Sequence, residues 1–593
     1  MESDFDLEQG AAVHDVRGIA VLDDGDPVYA APVDGTYQLF RNGTQVTASD
    51  RSLCYPVSIP GSDAVVAMHM PDDGLTDNDI ARVSLADGLI ETIFDGPLQC
   101  RFLRPNPANP DRVAFIHSTA EGMSIRAIDA QSGAVTTLAE PANDEDWLSA
   151  FTWSPAGDQL VFQDGPPYGR NTLRLLNEDG TIEELLSFAE GSATLGGMEA
   201  GIFGLAPGKR LWSTEGILFA GGETDTANLG VVRSDGNYEW LVESEDELVP
   251  VEWIHTGSNT QAAYLEKQPG RSTLKTTGET TFELNDAGGV IEMLRWPEDA
   301  DAPIYIRKDY KSAGDVWIGE TKRTDVGTCE TAKCKPTIIR YESFDGTAIP
   351  ALCYSPSDTP GDGPVPSGKR RSAIVYAHGG VGTRNEEHLS LGEQALVDAG
   401  FTVLAPDYRG SSGYGRSFLH ANDGKMGEVD LDDLVAGARY LRHQGFEQVG
   451  IFGESWGGYF ALSGVARRSA FDAAASICGV TDLSRAAENG RLSVARQKFG
   501  VTVDGDEGSG ILDKRSPIEH VDSLSAPVCL FHGAADGSVP VEHTTRFAEA
   551  LSETDLFHET RIYEGEGHLI QNAQNRVDLY TRLRSFFVER LGS

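Results

Sequence analysis

A short apolar run, a glycine turn and a second apolar run recur through the first half of this chain, and no other feature limits the fold as much. The pattern occupies residues 81–93, 125–138, 173–185 and 231–241, with Gly88, Gly133, Gly180 and Gly236 at the turns. Gly35, in Val-Asp-Gly-Thr-Tyr, reads in the same register. Asp-Gly and related pairs between apolar runs mark hairpins, because the tight turn needs a residue that tolerates positive φ. The successive glycines lie 53, 45, 47 and 56 residues apart. A second register agrees: Phe102-Leu-Arg-Pro precedes Arg112–Phe115, and Phe151-Thr-Trp-Ser-Pro precedes Gln159–Phe162. A period of roughly 40–50 residues with several strands per repeat predicts a β-propeller, and about 320 residues give about seven blades. A non-repeating set of antiparallel sheets is the alternative; the fourfold recurrence argues against it, although the signal fades after Trp240.

Near residue 335 the pattern changes. Residues 338–352 read as a hairpin opening a new sheet, and 355–368 as a loop rich in Pro, Gly, Ser and Asp. Beyond it, apolar strands at 373–377, 402–405, 449–452, 473–478 and 527–531 alternate with amphipathic helices at 428–443 and 456–468. Alternation over this length predicts a mostly parallel, doubly wound sheet covered on both faces. The expected organisation is a β-propeller over 1–335 and an α/β-hydrolase domain over 336–593.

The chemistry gathers in the second part. Gly453-Glu454-Ser455-Trp456-Gly457 fits G-x-S-x-G. In a chain with 66 glycines chance supplies about half such a match, so context decides. The motif follows an apolar strand and opens a helix, which is the setting of a nucleophile elbow. Gly453, Gly457 and Gly458 keep the turn free of side chains. An acid and a base follow in the order Ser, Asp, His: Asp536 lies just past the strand at 527–531, and His568 just past the strand at 560–563. His568 would accept the serine proton, and Asp536 would fix its tautomer. His543 falls in a helix, His558 precedes its strand and His532 precedes Asp536, so none competes well. Asp504 and Asp506 read as a solvated acidic loop. The amides of Trp456 and of Gly380, in His378-Gly379-Gly380, are candidate oxyanion donors. His378 reads as positioning backbone, not as a base. Arg409 is a candidate for substrate contact or for bracing the active-site loop, bracing being the preferred reading. Cys329 and Cys334 have no second Cys or His pair to complete four metal ligands and read as a surface hairpin. No metal or cofactor is expected.

His378-Gly-Gly, Asp407-Tyr-Arg409-Gly-Ser-Ser-Gly-Tyr-Gly415, Gly453-Glu-Ser-Trp-Gly-Gly-Tyr459, His532-Gly-Ala-Ala-Asp-Gly-Ser-Val-Pro540 and Gly-Glu-Gly-His568 stand in the order of the prolyl oligopeptidase family. The sequence from about 338 to the end resembles that family, its acylaminoacyl-peptidase and dipeptidyl-peptidase branches above all. The resemblance implies a propeller lid over an α/β-hydrolase active site, Ser455, Asp536 and His568 as its triad, and backbone at Gly380 and Trp456 as its oxyanion hole. It implies short peptides as substrates. Two departures stand out: Val381 occupies a position where the family often has proline, and no glutamate pair in the first half matches the amine-gripping pair of the dipeptidyl peptidases. An esterase on small substrates is the alternative enzyme. A propeller that binds a partner beside a scaffold hydrolase domain is the alternative outside catalysis.

The net charge is −43, from 48 basic and 91 acidic residues. Nucleic acid and anionic lipid would be repelled over most of such a surface. The acid is spread along the chain and Arg outnumbers Lys, as in proteins that work in concentrated salt. Seven scattered cysteines form no disulfide framework. The N-terminus, Met-Glu-Ser-Asp-Phe-Asp, has no basic-then-apolar signal, and a cytoplasmic location is expected. A homo-oligomer is left open. If the charge reflects a salt-rich setting, the melting temperature should climb steeply from dilute buffer to molar salt as repulsion is screened. A flat or falling melting temperature across that range contradicts the halophilic reading.

Overall fold

The structure is a computed structural model. It describes residues 5–592 apart from 71–77, 96–99, 120–121, 144–145, 167–168, 197–209, 224, 257–258, 279–282, 285–287, 299, 357–370, 489–496, 502–505 and 553. Most of the loop expected at 355–368, and Asp504, therefore lie outside the described residues.

Residues His14–Thr328 form one compact unit, a seven-bladed β-propeller. Its blades are antiparallel sheets of four strands, or five in the fifth blade, opening at Ile19, Ser52, Cys100, Trp147, Ser192, Glu247 and Val290. Four of the turn glycines work as expected. Gly88, Gly133, Gly180 and Gly236 each join the last two strands of a blade with φ between 71° and 84°. Gly35 does not share that register, because it joins the second and third strands of the first blade, Pro27–Val33 and Thr36–Arg41. The true counterpart is Gly43 (φ 81°), between Thr36–Arg41 and Thr44–Gln45. The first strands of the second, third and seventh blades carry a register shift beside a non-glycine residue at positive φ: Tyr55 (53°), Phe102 (58°) and Met293 (48°). Such bulges sharpen strand twist. Each blade is built from consecutive strands, so no shared strand ties the first to the last. Apolar packing joins them instead: Val16, Ile19, Tyr29 and Ala31 meet Ile304, Ile306 and Val316.

The second unit takes in the residues before His14 and those from Cys329 onward except Gly413–Gly415, which group with the first, so the chain divides elsewhere than at 335/336. Helix Leu7–Ala12 packs against helices Leu391–Asp398 and Ala573–Leu591. Arg576 ties it down by donating to the carbonyls of Ala11 and Val13, both at 2.9 Å. Cys329 is buried beside Gln9, its sulfur 3.6 Å from Gln9 Oε1, in a turn and not in the expected surface hairpin. The eight-stranded sheet runs Thr337–Glu342, Ala348–Tyr354, Thr402–Pro406, Ser372–Ala377, Gln448–Glu454, Ala474–Ile477, Val528–Gly533, Phe557–Tyr563. The first two strands pair antiparallel; all pairings beyond Thr402–Pro406 are parallel. Leu396, Leu579, Leu583, Phe586 and Phe587 close one face over Ile374, Val403, Phe452 and Phe531. Helices Val429–His443 and Trp456–Arg467 pack on the sheet as well. Two local expectations change. His558 lies within its strand, and Asp506 opens helix Asp506–Arg515 instead of lying in a loop. Among the described residues no helix is long and apolar enough to cross a membrane.

Candidate active site

Ser455 stands where strand Gln448–Glu454 turns into helix Trp456–Arg467, with φ 56° and ψ −117°. A side chain rarely adopts that backbone, and the cost is on the order of 1–3 kcal/mol. Its surroundings impose it. The Ser455 amide donates to Ile477 O at 2.8 Å, and the Tyr459 amide donates back to Ser455 O at 3.1 Å. A methyl group on Gly457 would lie 1.9 Å from Ala377 O; on Gly453 it would lie 2.4 Å from the Gly457 carbonyl carbon; on Gly458, 2.6 Å from Ser476 Oγ. Glycine is therefore required at all three positions around the turn.

The His378-Gly379-Gly380 turn runs against this elbow. A methyl group on Gly379 would be 2.8 Å from Glu454 O and 3.4 Å from the Ser455 Cβ. Gly380 has φ 72°. The Trp456 amide begins a helix and so has no intrahelical acceptor. His378 is buried, which pushes its imidazole down to about 4. It stacks on Tyr408 with ring centroids 4.2 Å apart, Nε2 lies 2.9 Å from Ser411 Oγ, and Tyr408 donates its hydroxyl to His378 O at 2.7 Å. These contacts hold the turn and leave His378 neutral at ordinary pH. Arg409 donates from Nη2 to Asp433 Oδ1 at 2.7 Å and from Nη1 to Asp345 Oδ2 at 2.6 Å.

Asp536 and His568 meet from neighbouring loops. His568 Nδ1 lies 2.7 Å from Asp536 Oδ2. The loops are laced together: Ala534 N donates to Tyr563 O and Ala535 N to Glu566 O. Gly533 lets them touch, because a methyl group there would sit 2.1 Å from Gly567 O. Buried Glu566 accepts from the amides of Gln571 (2.8 Å) and Asn572 (3.1 Å), fixing the segment just after His568. Burial disfavours the Asp536 charge, but hydrogen bonds with His532 and His568 outweigh it and hold the carboxyl well below the usual carboxylate range. Glu454, next to Ser455, is pushed up by burial, which its hydrogen bond from Tyr580 opposes. Glu566, Gly533 and the His532–Asp536 contact escaped the sequence reading. The last had a signal: His and Asp four residues apart across a strand end, read there only as a base in the wrong order.

Comparison with known proteins agrees with this geometry. Residues 387–593 match the model of the prolyl oligopeptidase family. Dipeptidyl aminopeptidase BIII of Pseudoxanthomonas mexicana is 26% identical over 269 residues, which cover 43% of this chain and 37% of that protein. Acylamino-acid-releasing enzyme 1 of Oryza sativa subsp. japonica is 25% identical over 237 residues, 37% of this chain and 30% of that protein. The matches thus span well under half the length of these relatives. Among solved structures, a Mycobacterium tuberculosis puromycin-hydrolyzing peptidase superimposes with a TM-score of 0.79 at 18% identity, covering 100% of this chain and 96% of the other. Pyrococcus horikoshii acylaminoacyl peptidase gives 0.70 at 15% identity, over 99% and 97%. The elbow at Ser455 and the paired loops of Asp536 and His568 all lie inside the matched segment, so residues 387–593 are similar to the prolyl oligopeptidase family domain.

Proposed function

We propose that the chain is a serine peptidase that cleaves short peptides through an acyl-enzyme on Ser455. The observation that carries this reading is the 2.7 Å contact between His568 Nδ1 and Asp536 Oδ2, next to a serine held on a strained strand-to-helix turn. Ser455 Oγ attacks the peptide carbonyl carbon and its proton passes to His568 Nε2. The charge that develops on the carbonyl oxygen meets the amides of Trp456 and Gly380, which are preorganised and need no rearrangement during the reaction. His568 returns the proton to the departing amine, the C–N bond breaks, and water repeats the sequence to release the acid. Asp536 stays ionised throughout and holds the imidazole with Nε2 toward the serine. Arg409, engaged by two carboxylates, braces the loop.

A peptide is favoured over a simple ester because the relatives bear the names of dipeptidyl and acylamino-acid peptidases, and because one solved neighbour is a puromycin hydrolase complexed with PGG. We assign residues 14–328 the task of restricting access to short, flexible chains. A cytoplasmic, salt-adapted setting remains our reading of the composition.

Ser455→Ala should lower hydrolysis of an acetylated or free-amine pentapeptide by more than about 10³-fold while leaving the circular dichroism unchanged. Undiminished turnover by the folded variant would sink the triad assignment. Asp536→Asn should cost about 10⁴-fold in kcat by stabilising the wrong imidazole tautomer; a loss under about tenfold points to another acid. The full-length enzyme should cleave pentapeptides and small activated esters and spare a native folded protein. Equal rates on a folded protein and a pentapeptide refute the access restriction, and turnover of esters alone favours the esterase.

A further inference from the structure

His532 was set aside as a base because of its place in the chain. The structure puts it in contact with the same carboxylate as His568, from the buried side. Its side chain is fully buried, at the end of strand Val528–Gly533. Nε2 lies 3.1 Å from Asp536 Oδ2 and 2.8 Å from Val539 O. Both neighbours are acceptors, so Nε2 carries a proton and donates. Nδ1 lies 2.7 Å from Thr544 Oγ1, and in the neutral ring it accepts the threonine proton. The tautomer is thus set by the two acceptors at Nε2, and the Thr544 hydroxyl is free to match it.

Asp536 then receives a donor in every direction. Oδ1 accepts from the amides of Ser538 (2.7 Å) and Val539 (2.8 Å). Oδ2 accepts from His568 Nδ1 at 2.7 Å and from His532 Nε2. Two amides and two imidazoles fill the four lone-pair directions of the carboxylate, which keeps it ionised and stops it rotating. Cys478, on the adjacent strand end, also faces Asp536; burial and that neighbouring charge push its thiol up. Donor atoms of Cys478, His532 and Asp536 lie within 4.8 Å of one another. They do not suit a metal in this arrangement, because the imidazole nitrogen facing Asp536 must carry a proton for Val539 O and has no lone pair to offer.

We propose that His532 is a positioning residue: it orients Asp536, shares out the carboxylate charge, and through it sets how strongly His568 is held in its working tautomer. The inference rests on the serine peptidase reading of Ser455, Asp536 and His568. Besides Asp536, Glu454 faces His568 and is itself flanked by Tyr580 and Arg576, and near Asp536 the titratable groups are His532, His568 and Cys478.

Two isosteres separate positioning from mere packing. His532→Gln places an amide N–H where Nε2 stood and keeps the donor to Asp536. His532→Asn places an amide where Nδ1 stood, keeps a partner for Thr544 and loses the donor to Asp536. On a pentapeptide substrate the Asn variant should lose about 10- to 100-fold in kcat with KM nearly unchanged. The acid limb of its kcat/KM profile should move to higher pH, because a carboxylate with one donor fewer holds the protonated form of its remaining imidazole more strongly. The Gln variant should stay within about fivefold of the parent with its acid limb in place. Equal losses in both variants with unmoved acid limbs overturn the proposal, as does full activity in Asn. Nitrogen-15 labelling of histidine in the unmodified protein tests the contact without mutation. The neutral His532 should carry its proton on Nε2 with that proton slow to exchange; a proton on Nδ1 overturns the assignment even if the variants do not fold. A parent enzyme with no hydrolase activity sinks the peptidase reading instead, and the labelling result then stands apart from it.

Discussion

Everything at this site follows from one strained residue. Ser455 sits at φ 56° because the chain must leave a central parallel strand and enter a helix within one residue. The strand is paired on both sides, to Ser372–Ala377 and to Ala474–Ile477. A relaxed backbone at Ser455 would redirect the helix and break its amide's bond to Ile477 O. The ordered sheet therefore overrides a local preference worth on the order of 1–3 kcal/mol. The same geometry leaves the Trp456 amide at a helix start, where amides need an outside acceptor. The proposed nucleophile and one proposed oxyanion donor come from a single bend in the chain.

The second constraint is electrostatic. A chain with a net charge of −43 keeps one of its carboxylates, Asp536, buried yet ionised. Long-range repulsion from the surface is screened by salt, whereas hydrogen bonds at 2.7–3.1 Å are not. The acid that matters to the reaction is governed by its immediate donors and is insulated from the charge of the rest. Arg409 shows the complementary arrangement: Asp433 and Asp345 hold its guanidinium charged against burial, which is why we read it as bracing the loop.

Much of this was legible in the sequence because it is local. Asp-Gly turns at Gly88, Gly133, Gly180 and Gly236 report their own φ, and a strand followed by Gly-Glu-Ser-Trp-Gly reports an elbow. Local signals also mislead locally. Gly35 and Gly43 lie eight residues apart in the same blade, both at positive φ, and nothing in either turn says which pair of strands it joins. The sixth and seventh blades faded because their outermost strands are two residues long, Glu283–Leu284 and Thr321–Lys322, too short to show alternation. The N-terminal helix could not be assigned to the catalytic unit at all. Its packing on Ala573–Leu591 and the bonds of Arg576 to Ala11 and Val13 join residues more than 560 apart, and such contacts leave no mark on periodicity.

The glycines explain why the chemistry is so compactly written. Gly379, Gly453, Gly457, Gly458 and Gly533 each lie where a methyl group would come within 1.9–2.8 Å of a neighbouring atom, in most cases of the backbone. The active region is thus a stack of main-chain crossings: the Gly379 turn on Glu454, the elbow on Ala377, the Asp536 loop on Gly567. Crossings at this range fix main-chain atoms with no rotamer freedom between them. The proposed oxyanion donors are themselves main-chain groups, so they would inherit that precision directly. Only the groups proposed to move a proton or form a bond need side chains, and those three follow strands of one sheet. The motifs are short because the backbone does the placing, and the same economy hid His532, whose part is played from beneath through a contact that no spacing rule for a triad includes.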